Sequence, residues 1–341
     1  MESAEIHNSS ESVTKASRQS FRSVFIGERI REERNCERFK RAAGGKLTEQ
    51  AAGIIFRFCG LAAVLGVFFI TLYMIISGTP ALFRVGLKEI VFGRVWKPTG
   101  VEPKFGILYV ILTSLVGTAL AVLLGAPVGI LTAVFLAETA DRRLAGLFKS
   151  AVELLACIPS VIYGLLGLYL LHPLIYKLEL RIFADSESHR FTGGANLLSA
   201  VIVLAVMILP TVISVSETAI RAVEPDIRAA SLALGASRMQ TVFRAVLPAA
   251  KPGIVTAVAL GVGRALGEAT AVALVSGNSV NFPLPFHSVR FLTTAIVSEM
   301  GYAQGVHREM LFTIGLVLFL FIMAVNIGLN WILKKGAGAY E

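Results

Sequence analysis

Two residues in the stretch GVGRALGEATAV pose the first chemical question. Arg264 and Glu268 stand within an apolar block, 253–275, that has the length of a membrane-spanning helix. On an insertion scale each such charge costs roughly 2.5–3.5 kcal/mol at a helix centre, so their retention points to a polar path through a helix bundle. An arginine in a water-lined path favours anions, because its planar fork of donors matches tetrahedral oxyanions. A nearby carboxylate adds discrimination. It repels a fully deprotonated anion such as sulfate, yet accepts a hydrogen bond from the O–H of hydrogen phosphate. The competing reading is a mutual salt bridge, since residues four apart share a helix face, although Arg before Glu is the weaker order for that pairing. Gly261, Gly263 and Gly267 flank the arginine and permit close helix approach. No β-strand precedes them, so they do not read as a dinucleotide loop.

The second informative stretch is 216–252. Pro225 suits the first turn of a short helix, Asp226 its positive end, and Gly235 a left-handed residue that ends it. Ser237 and Gln240 form a capping-box pattern for a second helix, which Leu247 and Pro248 end before Pro252 opens the next span. A pair of short helices therefore projects from the bundle, either as an interfacial connector or as a docking knob for a partner.

The elements that must position these residues are membrane spans. Of 341 residues 55% are hydrophobic and 16% charged, against about 25% charged in an ordinary soluble domain. The apolar residues fall in six blocks, at 54–76, 107–135, 152–171, 197–215, 253–275 and 311–333. Six spans put both termini on one side. The second block has no charge from Phe105 to Ala137 and carries Gly125, Pro127 and Gly129, so a kink or an extension beyond the bilayer is expected. The third opens with Glu153, Pro159, Tyr163 and Gly164, which read as a helix start with a kink. Residues 1–53 form a basic polar tail, too poor in apolar positions for a core and without the pattern of a cleaved secretory signal. Lys and Arg number 20 in the tail, 138–151, 216–252 and the C-terminus, against 10 in the alternate segments. That excess places the tail, the loop 216–252 and the C-terminal 335–341 in the cytoplasm. The net charge of +9 belongs to these membrane-flanking segments, so nucleic-acid binding is not expected.

RAASLALGASRMQTVFRAVLP resembles the cytoplasmic EAA loop of ABC-importer permeases, whose pattern is Glu-Ala-Ala, three residues, Gly, nine residues, Ile, one residue, Leu-Pro. The pattern falls on Ala229, Ala230, Ser231, Gly235, Ala245, Leu247 and Pro248, with Ala229 in place of the acidic residue and Ala245 in place of the isoleucine. The substitution at Ala229 removes a charge that a partner ATPase could pair with, and leaves a Gly-terminated helix as the docking element. VWKPTGVEPKFGILYVILTSL, ELLACIPSVIYGLLGL, MILPTVISVSETAIRAVEP, GRALGEATAVALVSGN and FLTTAIVSEM are similar to the phosphate-specific (Pst) permeases, the first more to the C-type subunit than to the A-type. The resemblance covers roughly 54–333 and leaves the tail unread. It implies an all-α, six-helix permease of the type I ABC-importer (MetI-like) architecture in a bacterial inner membrane. The implied partners are an A-type permease completing the channel, two copies of a separate ATPase, and an extracytoplasmic phosphate-binding protein. It also implies that Arg264 and Glu268 are important for transport.

Absences agree with that division of labour. No stretch reads GxxxxGK followed by Ser or Thr, so ATP hydrolysis is expected on another chain and this chain is not expected to be an enzyme. Cys36, Cys59 and Cys157 lie far apart, and the five histidines lack metal-ligand spacing and read as surface or interface residues, so no metal or cofactor is expected. The alternatives are a permease for another oxyanion such as sulfate or molybdate, and a secondary carrier or membrane sensor. A carrier would show two related halves, and no such pairing is visible.

Overall fold

The computed structural model describes residues 46–337, so nearly all of the tail, with Cys36 and His7, lies outside the described residues. The chain divides into two compact units, 1–70 and 71–341. The described part of the first unit is helical, and its apolar side chains from Ile54 to Ile70 are exposed, as a lipid-facing helix requires. That helix, α1 (Lys46–Val85), continues into the second unit.

The second unit is also built of helices. After α1 come α2 (Leu87–Phe92) and a two-residue antiparallel ribbon, β1 (Trp96–Lys97) with β2 (Lys104–Phe105). The helix α3 (Leu108–Val134) runs on through a wide π turn at Phe135–Thr139, and α4 (Arg142–Cys157) follows. A helical run of α5 (Ser160–Leu166), a π turn and α6 (His172–Ile182) then precedes α7 (Leu197–Arg221). The short helices α8 (Pro225–Ala233) and α9 (Arg238–Thr241) lead through the π turn Val242–Val246 into α10 (Leu247–Gly267). The chain ends with α11 (Thr270–Val275), α12 (Leu292–Glu299) and α13 (Gly305–Ala337). Among the described residues six helical runs are long and apolar enough to cross a membrane: Ala52–Val85, Leu108–Thr139, Ser160–Ile182, Leu197–Arg221, Arg238–Gly267 and Gly305–Gly328.

The central helix is α7, whose Leu204, Met207 and Ile208 are almost fully buried in a cluster with residues of α3, α5, α10 and α11 and with Val289 and Phe291. Two glycines let α3 approach it. A Cβ on Gly125 would lie 2.8 Å from the Ala205 carbonyl oxygen, and one on Gly129 would lie 2.8 Å from Val212 Cγ1. The overlong charge-free block is thus a single 32-residue helical run, Leu108–Thr139, with Pro127 inside it.

Three boundaries differ from the sequence expectation, each for a backbone reason. The block 152–171 is not one helix. Ile158 (ψ 125°) and Pro159 (ψ 141°) are extended and separate α4 from α5, because a proline drives the residue before it out of the helical region. Leu247 and Pro248 do not end a helix. The ladder instead widens over Val242–Val246, and the change of register falls where Pro248 has no N–H to donate. Finally, 253–275 is broken: Glu268 (ψ 128°) is extended and Ala269 is off the helical region, so α10 stops at Gly267 and α11 starts at Thr270.

Candidate functional site

The break at Glu268 changes the relation between the two charges found in the sequence. Arg264 lies in the last turn of α10, while the Glu268 side chain folds forward over the next helix. Its Oε1 accepts the Ala271 N–H at 2.9 Å and the Thr270 hydroxyl at 3.0 Å, so the carboxylate caps the start of α11. No salt bridge joins Arg264 to Glu268, and the shared helix face expected from their spacing does not exist. Arg264 is exposed, with no hydrogen bond or ion pair among the described residues. Gly263 and Gly267 beside it have nothing within 4 Å of a built Cβ, whereas Gly261 packs 3.1 Å from Val212. Of the three glycines, Gly261 serves close approach within the chain, and the other two keep the Arg264 face open.

Three hydroxyl residues complete the surroundings. Ser160 Oγ lies 2.7 Å from Thr270 Oγ1, which joins the first residue after one helix break to the first residue after the other. The Thr293 hydroxyl, from the start of α12, donates to the Glu268 carbonyl at 2.7 Å. That bond satisfies a main-chain acceptor released by the break, as irregular backbone within a bundle demands. The Tyr163 hydroxyl donates to the Leu155 carbonyl at 2.7 Å, bridging the break at Pro159. Gly164 is buried there because a Cβ would sit 2.9 Å from Ala271 Cα. Sequence reading missed Ser160, Thr270 and Thr293. Pro159-Ser160 and Glu268-Ala269-Thr270 do carry a signal, a small hydroxyl residue directly after a helix stop.

At the other cluster Gly235 has φ +85°, the left-handed residue expected after α8. Ser237 and Gln240 form a reciprocal capping box, with the Gln240 N–H donating to Ser237 Oγ at 3.3 Å and the Ser237 N–H to Gln240 Oε1 at 2.9 Å. Ser231 Oγ and Thr241 Oγ1, 2.9 Å apart, tie α8 to α9. Ala229 and Ala230 are exposed, and so are Leu232, Leu234, Met239 and Phe243. Leu247 and Pro248 are half-buried in the helical run that continues into α10. The loop is anchored by Arg228, whose Nη2 donates to Glu138 Oε1 and to the Ile220 carbonyl, both at 2.8 Å. Arg221 donates to Glu217 Oε1 and to the Leu136 carbonyl, also at 2.8 Å each. Glu138, at the end of the α3 run, is thus the acidic residue that holds the loop to the bundle.

Two further polar knots lie away from both clusters. Glu299, 5% exposed, accepts from Trp96 Nε1 at 3.0 Å, pairs with His307 Nε2 at 2.8 Å, and is ion-paired to Arg290. Glu179 is fully buried and meets His189 Nε2 at 2.8 Å and the Thr192 N–H at 3.0 Å. Against the expectation of surface or interface residues, His307, held by Glu299, and His172, whose Nε2 lies 3.3 Å from the Val275 carbonyl oxygen, are buried within the chain. No group of three or more potential metal ligands occurs among the described residues.

The chain matches the family described as "Binding-protein-dependent transport system inner membrane component" over residues 125–335. A Bacillus subtilis (strain 168) protein named as a probable ABC transporter permease, YqgH, is 38% identical over 290 residues, covering 82% of this chain and 91% of that protein. The phosphate transport system permease protein PstC of Pasteurella multocida is 34% identical over 240 residues, covering 67% of this chain and 74% of that one. PstC of Haemophilus influenzae is 31% identical over 268 residues, covering 76% and 84%. Among solved structures, a chain of a bacterial ABC transporter involved in the import of alginate superposes with a TM-score of 0.59 at 18% identity, covering 85% of this chain and 99% of that one. This last likeness concerns the fold.

Proposed function

The chain belongs to the binding-protein-dependent transport system inner membrane components, and from that premise we propose that it conducts inorganic phosphate as one permease subunit of an ATP-driven importer. As an ABC-transporter permease it is a multi-pass inner-membrane protein. Phosphate as the solute is supported by the relatives named as phosphate transport system permeases. One observation carries the reading: the exposed, unpaired guanidinium of Arg264 stands at a helix break whose far side holds the Glu268 carboxylate. A fixed cation supplies donors for a tetrahedral oxyanion, and the carboxylate supplies an acceptor for its O–H.

The remaining parts of the machine follow from the same reading. An A-type permease covers the open Arg264 face and completes the path. A dimer of a separate ATPase receives α8 and α9, where the exposed Leu234 and Met239 give an apolar contact and Arg228 with Glu138 gives a rigid base. ATP hydrolysis then resides on that partner, and this chain contributes no catalysis. An extracytoplasmic binding protein delivers phosphate at the opposite end. Both termini and the loop 216–252 face the cytoplasm in this arrangement, in line with the excess of Lys and Arg on that side.

The test is uptake of radiolabelled phosphate by the assembled importer in vesicles. Arg264→Lys keeps the charge and loses the planar fork, so uptake should fall while assembly persists. Glu268→Gln should lower transport and weaken discrimination against sulfate. Replacement of both residues by leucine should abolish uptake, and uptake at the wild-type rate by that double variant would overturn the reading.

A further inference from the structure

We propose that Thr270 is a positioning residue for Glu268, holding that carboxylate through a directed chain of hydroxyl groups that begins at Ser160 on the neighbouring broken helix. The proposal rests on the reading of Arg264 and Glu268 as part of a phosphate path, and it concerns what keeps the carboxylate in place there.

Counting protons fixes the direction of the chain. Thr270 Oγ1 carries one hydrogen, and it is donated to Glu268 Oε1 at 3.0 Å. Ser160 Oγ, 2.7 Å from Thr270 Oγ1, must then be the donor in that contact. The Ala271 N–H occupies the same Oε1 at 2.9 Å. Two donors on one oxygen leave Oε2 without a donor from the described residues, and Ser160, its proton engaged, presents only lone pairs to anything beside it. The two helix breaks, at Pro159 and at Glu268, thereby offer acceptors. A phosphate bearing an O–H can donate to such acceptors, and a fully deprotonated oxyanion cannot. Thr293 holds the Glu268 main chain from the α12 side while Thr270 holds its side chain. Without the Thr270 hydroxyl, the carboxylate keeps only the Ala271 N–H and is free to swing about that single bond.

The experiment measures phosphate uptake by the assembled importer in vesicles, with the phosphate-loaded binding protein varied in concentration. Thr270→Val matches the shape and removes the hydroxyl. It should lower kcat at least about tenfold, the factor at the low end for one hydrogen bond to a charged group. The binding-protein concentration giving half-maximal uptake should not change, because Thr270 belongs to the apolar block 253–275 and not to a loop outside the spans. Thr270→Ser, which restores the hydroxyl, should recover most of the rate. Thr270→Ser as slow as Thr270→Val would overturn the proposal, since shape alone would then account for the loss. Should Thr270→Val fail to assemble, Thr270→Ala takes its place, and a wild-type rate for either variant also overturns it. Glu268→Gln in the same assay separates the two levels. If it loses uptake while Thr270→Val does not, the positioning role falls and the path reading stands; if Glu268→Gln transports at the wild-type rate, both fall.

Discussion

Removing the carboxylate of Glu299 should loosen the end of the bundle where β1, α12 and the start of α13 meet. Glu299 is 5% exposed and is shared by the Trp96 indole at 3.0 Å, the His307 ring at 2.8 Å and the Arg290 guanidinium. In Glu299→Gln one oxygen becomes an NH2 group facing other donors, and Arg290 loses its counter-charge. A hydrogen bond to a charged group contributes about 1.5–3 kcal/mol, and breaking one side of a buried ion pair costs about 3–5 kcal/mol. Because Arg290 also donates to the Asn278 carbonyl at 3.0 Å, and so keeps one partner, the expected loss is near the low end, about 3 kcal/mol. Arg290→Met alone should cost less, since Trp96 and His307 still serve the carboxylate. A double-mutant cycle with Arg290→Met should return a coupling energy of about 1.5 kcal/mol or more. The assay is denaturation of the detergent-solubilised protein followed by tryptophan fluorescence. The chain has only two tryptophans, so Trp96 supplies a signal from the knot itself once Trp331 is replaced by Phe. A coupling below about 0.5 kcal/mol would refute the argument, because two residues acting independently add within that margin.

Three other outcomes follow from the packing and the loop. Gly125→Ala should destabilise the purified protein by about 1–3 kcal/mol, because the new methyl meets the Ala205 carbonyl at 2.8 Å, whereas Gly146→Ala in α4, with nothing within 4 Å, should stabilise it by up to about 1 kcal/mol. Equal effects in thermal unfolding would remove the case for close approach of α3 to α7. Gly235→Val should strain a residue at φ +85° by about 1–3 kcal/mol and lower both ATPase stimulation and uptake in the assembled importer while membrane insertion stays normal. Wild-type values of both would show that the turn carries no coupling. With the native cysteines replaced, a thiol at Asp185 should be labelled from outside the cell and one at Ser237 should not, and the opposite pattern would reverse the orientation.

Much of the architecture is visible in runs of residues, because lipid imposes a local rule: about 20 apolar residues in succession. Capping follows local rules too, which is why the Ser237 and Gln240 box and the left-handed Gly235 could be located from spacing alone. What failed was continuity. Periodicity over 253–275 reads as one helix, since Glu268-Ala269 has no proline to betray the stop, and the carboxylate that caps α11 looks from the sequence like a charge on a helix face. The break at Ile158 had its proline, but the apolar run through it outweighed the local signal. The Glu299 knot was invisible for a different reason. Its indole partner is 203 residues away in the chain, and no window along the sequence joins them.

The broken helix also explains how two charges persist in so apolar a stretch. On a continuous helix each would carry the full penalty of a mid-span charge, and their order, Arg before Glu, would be the weaker one for pairing. The break gives each of them a helix end of the right sign. Arg264 sits in the last turn of α10, where unsatisfied carbonyls favour a cation, and Glu268 precedes α11, where free N–H groups favour an anion. Each placement contributes about 0.3–1 kcal/mol at an exposed site, and up to about 2 kcal/mol where partly buried. Neither charge therefore needs the other as a partner. In the phosphate path proposed above, a mutual salt bridge would neutralise the guanidinium offered to the anion, whereas separate accommodation at two helix ends leaves it open. The same break frees the Glu268 carbonyl, onto which Thr293 donates, and brings Thr270 onto the Glu268 side chain, so the irregular backbone that sequence periodicity conceals is what gathers these residues.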